Sequence, residues 1–235
     1  MSDAGDILVL LAAGSARRMQ SVVDDKTLAP LCGTPVFIHA LRAFVRSGKI
    51  GRAILTYRDD AQLIRIRHLL EDEPADLPIT FVRGGDSRQE SVLAALSTCE
   101  THTGFVHIHD AARPLVTPAA IEKVRDRALE TGAAILAGRS SDTVKIARAD
   151  SSAVAASPDR SLVWTAETPQ VFRTADILRA YRKVNEAGRK VTDDSSALES
   201  IGVEVALVEN PDVNLKITRP SDFALAEAVL RSRGQ

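Results

Sequence analysis

The stretch ILVLLAAG, residues 7–14, decides how this sequence folds. Five consecutive apolar residues without polar alternation are typical of a strand buried on both faces of a parallel sheet. Arg17, Arg18 and Lys26 follow the Ala-Ala-Gly turn. Because exposed N–H groups past a strand end can hold phosphate oxygens, this pattern predicts a site for an anion. An ordinary turn with solvated arginines would have the same pattern.

Five further apolar runs alternate with longer segments of helical spacing. Together with the first run, they predict strands over residues 7–12, 52–57, 78–82, 104–108, 133–137 and 203–208. This alternation predicts an α/β fold in which a mostly parallel, twisted sheet carries helices on both faces. Ligands bind such sheets at the carboxyl ends of the strands.

Several helix starts can be located in the sequence. Thr-Pro pairs at 34–35 and 117–118 predict an N-cap followed by proline in the first helical turn. Ser87 with Glu90 three residues later predicts a capping box. For the helix predicted over 34–47, helical spacing predicts a buried face made of Phe37, Leu41, Phe44 and Val45.

Residues 139–168 interrupt the alternation. The β-type pieces TVKIA (143–147) and LVWTA (162–166) flank a polar tip rich in small residues, which predicts a protruding hairpin, the β-arm. Because an isolated two-stranded ribbon is marginal in water, we expect the arm to pack on a second copy of the chain. Residues 1–235 are otherwise expected to form one domain.

Composition argues against several classes of protein. Of the 235 residues, 45% are hydrophobic, which is enough for one large core, and the 30 basic and 31 acidic residues nearly cancel. That balance argues against a protein that binds nucleic acid or anionic membranes. The apolar run 7–13 is too short to span a membrane, so we expect a cytoplasmic protein in which Cys32 and Cys99 are buried free thiols.

Two further motifs follow predicted strands. GGDSRQES (84–91) joins two glycines to a helix start and suits a nucleobase edge or a phosphate, although a plain helix cap has the same pattern. In HIHDAARP, Asp110 and Arg113 lie at the expected ligand edge, where a carboxylate can bind a hydroxyl or a divalent cation. His107 and His109 share one strand face without a suitably spaced third ligand, which favours packing over a metal site.

The sequence contains no Gly-x-Ser-x-Gly elbow and no His-Glu-x-x-His helix, and no Cys/His pair is evident. Transfer of a nucleotidyl group to a phosphate monoester needs no enzyme nucleophile, because the attacking phosphate, with a second pKa of about 6, is mostly dianionic. Such an enzyme must align two anions and neutralise the charge that builds on the α-phosphate. Arginine, lysine and Mg²⁺ suit that task.

Seven motifs follow one another along the chain: AAGSARRM, GGDSRQESV, HDAARP, DTVK, TPQVF, TDDSSALE and NLKITRP. In this order and spacing they resemble the 2-C-methyl-D-erythritol 4-phosphate cytidylyltransferase family over nearly the whole chain. The resemblance implies a Rossmann-like fold whose β-arm exchanges across a homodimer. It also implies that CTP reacts with methylerythritol phosphate, releasing pyrophosphate, with Mg²⁺ held mainly through the CTP phosphates.

The resemblance implies roles for individual residues. Arg18 and Lys26 would stabilise charge at the reacting phosphorus. CTP would be bound by Ala12, Ala13, Gly14, Arg17, Gly85, Asp86, Arg88, Ser91, Asp110, Ala111 and Lys216. The acceptor would be bound by Asp110, Arg113 and Thr192, and by Thr143 and Arg160 from the arm of the other subunit. Without the resemblance, the polar residues of the arm and of the last two motifs would pass as surface residues.

The chain departs from the family pattern near its first loop. The usual Ala-Ala-Gly-x-Gly-x-Arg-Met has Ala16 in place of its second glycine, and the usual Pro-Lys-Gln is Asp25-Lys26-Thr27. The loop between Arg18 and Lys26 is also one residue longer than usual. Because both cations remain, we expect activity to be retained.

Three other functions fit parts of the sequence. A cytidylyltransferase for another polyol phosphate, such as ribitol 5-phosphate, would have the same CTP site. A non-catalytic nucleotide-binding regulator would be consistent with Ala16 and the altered lysine loop. A dinucleotide-dependent oxidoreductase would fit the fold, but the sequence lacks Gly-x-Gly-x-x-Gly after its first strand.

Overall fold

The computed structural model describes residues 5–14, 25–71, 73 and 77–234. Its helices and strands follow one another as β1 (Asp6–Leu11), β2 (Pro30–Leu31), β3 (Thr34–Pro35), α1 (Val36–Ser47), β4 (Ile50–Tyr57), α2 (Asp60–Glu71), β5 (Ile79–Arg83), α3 (Arg88–Leu96), β6 (Phe105–Asp110), α4 (Pro118–Thr131), β7 (Ala133–Arg139), β8 (Ile146–Ala147), β9 (Val154–Ala156), β10 (Trp164–Arg173), α5 (Thr174–Glu186), α6 (Asp194–Glu199), β11 (Ala206–Glu209) and α7 (Ser221–Ser232).

A seven-stranded sheet forms the centre of the fold, in the order β11-β7-β10-β6-β1-β4-β5. β10 runs antiparallel to both of its neighbours, and every other described pair of neighbours in this sheet is parallel. The structure therefore confirms the mostly parallel α/β sheet. It brings the carboxyl ends of β1, β4 and β6 to one edge.

Helices cover both faces of this sheet, as the buried side chains of β1 show. Ile7 and Val9 pack in one core with residues of α3, α5 and α6, whereas Leu8 and Leu10 pack in a second core with residues of α1, α2 and α4. A strand buried on both faces requires an uninterrupted apolar run, which is why residues 7–11 lack polar alternation.

Two of the predicted helix starts are confirmed. Thr117 is the N-cap of α4, where its side chain accepts a hydrogen bond from the Ala120 N–H, and proline occupies the first turn. Ser87 and Glu90 form the predicted capping box at the start of α3.

The predicted cap at Thr34-Pro35 is wrong. These two residues form β3, which pairs with Pro30–Leu31, and α1 begins at Val36. The N–H of Val36 donates to the Ala29 carbonyl, so the preceding hairpin supplies the partner that a side-chain cap would have supplied. Of the predicted buried face of this helix, Phe37, Leu41 and Phe44 are buried, but Val45 is 37% exposed.

The two cysteines differ in environment. Cys99 is buried as expected, and burial raises the pKa of its thiol to about 11. Cys32 is exposed, which corrects the prediction. It lies in the tight turn between β2 and β3 with a φ of 48°, and a residue at such a turn has little to pack against.

The strands within residues 139–168 pair differently from the prediction. β8, part of the TVKIA piece, pairs with β9 rather than with LVWTA. Trp164–Ala166, from the LVWTA piece, instead begin β10 and pair with residues 137–139 of β7. The sequence did not indicate the rest of β10 because Thr168-Pro169 interrupts it, and the ladder is irregular between Ala166 and Gln170.

Among the described residues, no helix combines the length and apolar character that crossing a bilayer requires.

Candidate active site

A cavity of about 410 Å³ opens at the carboxyl ends of β1, β4 and β6. Nine of the residues expected to bind CTP or to act in catalysis line it: Ala13, Gly14, Lys26, Gly85, Asp86, Arg88, Ser91, Asp110 and Lys216. Because these residues come from distant parts of the sequence, the sheet topology is what brings them together.

The Ala-Ala-Gly turn is held from beneath by its neighbours. Ala12 is fully buried; its N–H donates to Thr56 Oγ1 at 3.2 Å, and its carbonyl accepts from Gln62 Nε2 at 3.0 Å. Ala12 therefore does not line the cavity, but it anchors Ala13 and Gly14, which do.

The glycine turn after β5 packs directly against that first turn. A Cβ on Gly84 would lie 2.6 Å from the Ala13 Cβ and 2.6 Å from Ser91 Oγ, so only glycine fits there. The Gly85 N–H donates to Ser91 Oγ at 3.2 Å, and Ser91 Oγ donates to the Ser87 carbonyl at 2.9 Å. Ser91 thus ties the turn to the first turn of α3.

Asp110, at the end of β6, is the acidic centre of the cavity. Its carboxylate accepts hydrogen bonds from Lys216 Nζ at 2.7 Å and Arg88 Nε at 3.2 Å, and Arg113 Nε lies 3.9 Å away. Burial acts to raise the pKa of Asp110, but the charges of Arg88 and Lys216 outweigh it and hold that pKa well below its usual 3.8. Asp110 is therefore ionised and surrounded by cations.

Arg88 is fixed by a buried carboxylate that the sequence did not single out. Its Nη1 and Nη2 donate to the two oxygens of Asp194 at 2.9 and 2.7 Å, and the Asp194 side chain is fully buried. The Tyr181 hydroxyl donates to the same carboxylate. Burial and the charge of Asp194 raise the pKa of Tyr181 well above 10, so the hydroxyl remains a donor.

The segment that carries Asp194 is fixed by Gln170 of β10. Gln170 Oε1 accepts from the N–H groups of Asp194 and Ser195, and Gln170 Nε2 donates to Asp193 at 2.9 Å. Asp193 in turn caps α6 by accepting from the Ser196 N–H. Two of the seven motifs, TPQVF and TDDSSALE, therefore contact each other behind the cavity.

His109 is a buried packing residue, as predicted, and its tautomer follows from its partners. The Arg113 carbonyl can only accept, so His109 Nε2 carries the proton and donates to it at 3.1 Å. Nδ1 of the neutral ring is then the acceptor for the Thr168 hydroxyl at 3.0 Å, and the oxygen of that hydroxyl accepts from the Asp110 N–H. Burial lowers the pKa of His109 to about 4, so the ring is neutral. His107 is likewise fully buried, and its Nε2 lies 3.0 Å from Asp6 Oδ2.

Lys26 reaches the cavity from the segment that follows residues 15–24. Its Nζ donates to the Ile217 carbonyl at 2.8 Å. Lys26 and the neighbouring Lys216 both line the cavity, with Arg88 on the Asp110 side. With Arg58, four cationic side chains therefore line a space next to two glycine turns, which suits a ligand with several negative charges.

The other residues expected from the sequence lie elsewhere. Ala111 is buried, and Arg113, whose Nη1 donates to the Asn214 carbonyl, lies beside Asp110 without lining the cavity. Thr192 is exposed and shares a hydrogen bond with Ser196. Thr143 and Arg160 are exposed within residues 139–168. Arg17 and Arg18, like Ala16, fall outside the described residues.

Sequence reasoning missed six residues that also line the cavity: Leu11, Thr27, Thr56, Arg58, Ser87 and Ala112. A signal for two of them was available. Thr56 and Arg58 lie at the carboxyl end of the predicted strand 52–57, and parallel strands end at the same edge of a sheet.

The described residues include no group of three or more His, Cys, Asp or Glu side chains placed to hold a metal ion. Asp86 and Asp110 are the acidic side chains that line the cavity. A divalent cation would then be bound largely by phosphate oxygens of a ligand, which is how Mg²⁺ usually enters nucleotide sites.

Comparison with known proteins gives a consistent result. The family model described as IspD, 2-C-methyl-D-erythritol 4-phosphate cytidylyltransferase, matches residues 7–232. Proteins of that name from Bacillus velezensis and from Synechococcus elongatus are each 37% identical to the chain over 227 residues, covering 96% of both chains in each pair.

Solved structures agree with the sequence comparisons. The crystal structure of 4-diphosphocytidyl-2C-methyl-D-erythritol synthase from Anaerococcus prevotii matches with a TM-score of 0.84 and 30% identity, covering 98% of this chain and 100% of that one. The 2-C-methyl-D-erythritol 4-phosphate cytidylyltransferase from Thermus thermophilus matches with a TM-score of 0.76 and 27% identity, covering 96% and 99%. By sequence and by fold, the chain belongs to the 2-C-methyl-D-erythritol 4-phosphate cytidylyltransferase family.

Proposed function

We propose that this chain joins CTP and 2-C-methyl-D-erythritol 4-phosphate to give 4-diphosphocytidyl-2-C-methyl-D-erythritol and pyrophosphate. The observation that carries the proposal is the cavity in which Lys26, Arg88 and Lys216 converge beside two glycine turns and the ionised Asp110. That arrangement suits the alignment of two phosphorylated substrates, and family membership supports the choice of both.

The reaction is an in-line displacement at the α-phosphorus of CTP. An oxygen of the acceptor phosphate forms the new bond to phosphorus as the bond to the β-phosphate oxygen breaks, and pyrophosphate leaves with that electron pair. Lys26 and Arg18 stabilise the charge that builds on the α-phosphate. The acceptor arrives mostly dianionic, since its second pKa is about 6, and needs little help from a base.

CTP occupies the space between the two turns. Gly85, Asp86, Arg88 and Ser91 bind the cytosine side, and Ala13, Gly14, Arg17 and Lys216 bind the phosphate side. The backbones of the buried residues Ala12 and Ala111 support the CTP site, and Asp110 contacts the ribose.

Mg²⁺ is the proposed cofactor. Because Arg88 and Lys216 already occupy the Asp110 carboxylate, Asp86 or a free lone pair of Asp110 could add at most one or two ligands to the CTP phosphates. When bound, the ion supplies positive charge that offsets repulsion between the two substrates.

The acceptor is bound by Asp110, Arg113 and Thr192, and by Thr143 and Arg160 of the partner subunit. Two observations support a homodimer built through residues 139–168. Thr143 and Arg160 do not line the cavity of their own chain, and apolar side chains in this segment are exposed, with Ile146 at 52%, Val154 at 55% and Leu162 at 79%. We place this biosynthetic enzyme in the cytoplasm.

Pyrophosphate release with CTP and Mg²⁺ tests the proposal, with methylerythritol phosphate and ribitol 5-phosphate offered separately. We expect faster release with methylerythritol phosphate. Faster release with ribitol 5-phosphate would show that the mechanism is right and that the acceptor is a different polyol phosphate. CTP binding without pyrophosphate release would indicate a non-catalytic regulator. The structure and the relatives described above give no observation that favours either alternative.

A further inference from the structure

Gln62 lies in the first turn of α2 and does not line the cavity. Both N–H groups and the oxygen of its side-chain amide are hydrogen-bonded. Gln62 is 2% exposed. Its Nε2 donates to the Ala12 carbonyl at 3.0 Å and to Asp25 Oδ2 at 2.6 Å, and its Oε1 accepts from the Arg58 N–H at 2.6 Å. The opposite orientation of the amide would place a donor against the Arg58 N–H, so the orientation is determined by the partners.

Asp25, the residue before Lys26, is equally constrained. It is 2% exposed, and its Oδ1 accepts from the Thr27 N–H at 3.0 Å and from Thr27 Oγ1 at 2.7 Å. Its Oδ2 accepts from Gln62 and lies 3.6 Å from Arg58 Nη1. The backbone of Lys26 is therefore held by contacts of the residues on both sides of it.

A single side chain thus joins the two segments that flank residues 15–24. Gln62 contacts Ala12, at the start of the Ala-Ala-Gly turn, and Asp25, next to the proposed catalytic lysine. Asp25 and Thr27 are also the two positions at which this chain departs from Pro-Lys-Gln.

We propose that Gln62 and Asp25 are positioning residues, which set the distance between the Ala-Ala-Gly turn and Lys26 and so place the lysine against the phosphates of CTP. The inference rests on the proposed function, because it assumes that Lys26 acts there. Displacement of a charge-stabilising group lowers turnover more than substrate affinity, since the contact matters most in the transition state.

Two variants test the pair. Gln62→Met keeps an unbranched side chain of similar size and removes all three hydrogen bonds. Asp25→Asn keeps the acceptor for Thr27 but turns a donor toward Gln62 Nε2. Thr174→Val is the matched control, because Thr174 is also fully buried and its hydroxyl donates to the Gly104 carbonyl at 2.9 Å, at the opposite end of β6.

Two readouts are measured: steady-state pyrophosphate release with CTP and methylerythritol phosphate, and amide hydrogen exchange of residues 25–29 without substrates. We expect both variants to lower kcat about tenfold or more, with KM for CTP changing about threefold or less, and to exchange faster at residues 25–29. The control should keep kcat within about twofold and leave that exchange unchanged.

Folded variants with the kcat of the wild type would overturn the inference, as would unchanged exchange at residues 25–29. The proposed function fails in a different way. If the wild-type chain released no pyrophosphate, or if Lys26→Ala kept full kcat, the role given to the lysine would be wrong, and exchange would still report whether Gln62 and Asp25 hold that segment.

Discussion

Arg88 donates two parallel hydrogen bonds to the buried carboxylate of Asp194, at 2.9 and 2.7 Å. This ion pair joins the first turn of α3, which follows the glycine turn of the cavity, to the first turn of α6. Arg88 also donates to Asp110, so Asp194 helps to position the carboxylate at the centre of the site through Arg88.

Asp194→Ala should lower the free energy of unfolding by about 3 kcal/mol, because Arg88 loses its bidentate partner and the buried Tyr181 hydroxyl loses its acceptor. Denaturant-induced unfolding measures the change. Glu130→Ala is the control, since the Arg127–Glu130 pair lies at the surface, with side-chain exposures of 49% and 65%, and should contribute less than about 1 kcal/mol. Equal losses in the two variants would contradict this account of the Arg88–Asp194 pair.

The parallel part of the sheet could be predicted because burial on both faces demands uninterrupted apolar runs, as in residues 7–11. β10 could not be predicted as one strand. Its two halves are separated by Thr168-Pro169, and nothing local indicates that a strand continues past a proline when its neighbours β6 and β7 supply the pairing. The cap expected at Thr34 failed for a similar reason, since tertiary pairing replaced the local signal.

Within the site, the residues that could be predicted lie on glycine turns or directly after strands, where position alone indicates contact with a ligand. The supporting residues gave no such signal. Arg88 and Asp194 are 106 positions apart in the sequence. Gln62 shows no local signal of its role, because its partners Ala12 and Asp25 are distant in the sequence and meet it only in the fold. Contacts of this kind depend on the whole topology, which one sequence does not reveal.

Stability should fall on acidification from about pH 6.5 towards about pH 4, in part through His109. Burial lowers the pKa of His109 from 6.5 to about 4, so in this window the unfolded chain binds a proton that the folded chain does not. The free energy of unfolding therefore rises with pH across the window, by up to about 1.4 kcal/mol per pH unit for one histidine.

Unfolding by denaturant at several pH values measures this slope. His109→Gln should reduce it, leaving the part contributed by other groups such as His107, whose pKa burial also lowers. Thr174→Val is the control, because Thr174 is fully buried and carries no titratable group, and it should leave the slope unchanged. A slope unaffected by His109→Gln would show that His109 does not titrate as its burial requires.

Lys26→Ala should lower kcat by about 100-fold or more while changing the Kd for CTP much less, because its contact strengthens as charge develops on the α-phosphate. Arg18→Ala should behave in the same way. Steady-state kinetics and calorimetric CTP binding give the two quantities. Lys123→Ala, on the exposed side of α4, is the control and should change neither.

Arg160→Ala should raise KM for methylerythritol phosphate and leave CTP binding nearly intact, since Arg160 is assigned to the acceptor phosphate alone. Titration of CTP by calorimetry, with kinetics at varied acceptor concentration, separates the two effects. Loss of CTP binding in this variant would show that the assignment of Arg160 to the acceptor is wrong.

Mixing two impaired variants tests whether each site is built by two chains. In a dimer of one Lys26→Ala subunit and one Arg160→Ala subunit, one site carries both substitutions and the other carries neither, because Arg160 reaches the site of its partner. Random exchange makes about half the dimers mixed, so at acceptor concentrations well below the KM of the Arg160→Ala variant the mixture should recover about a quarter of wild-type activity. If Arg160 instead served the site of its own chain, every site would carry one substitution and mixing would recover nothing.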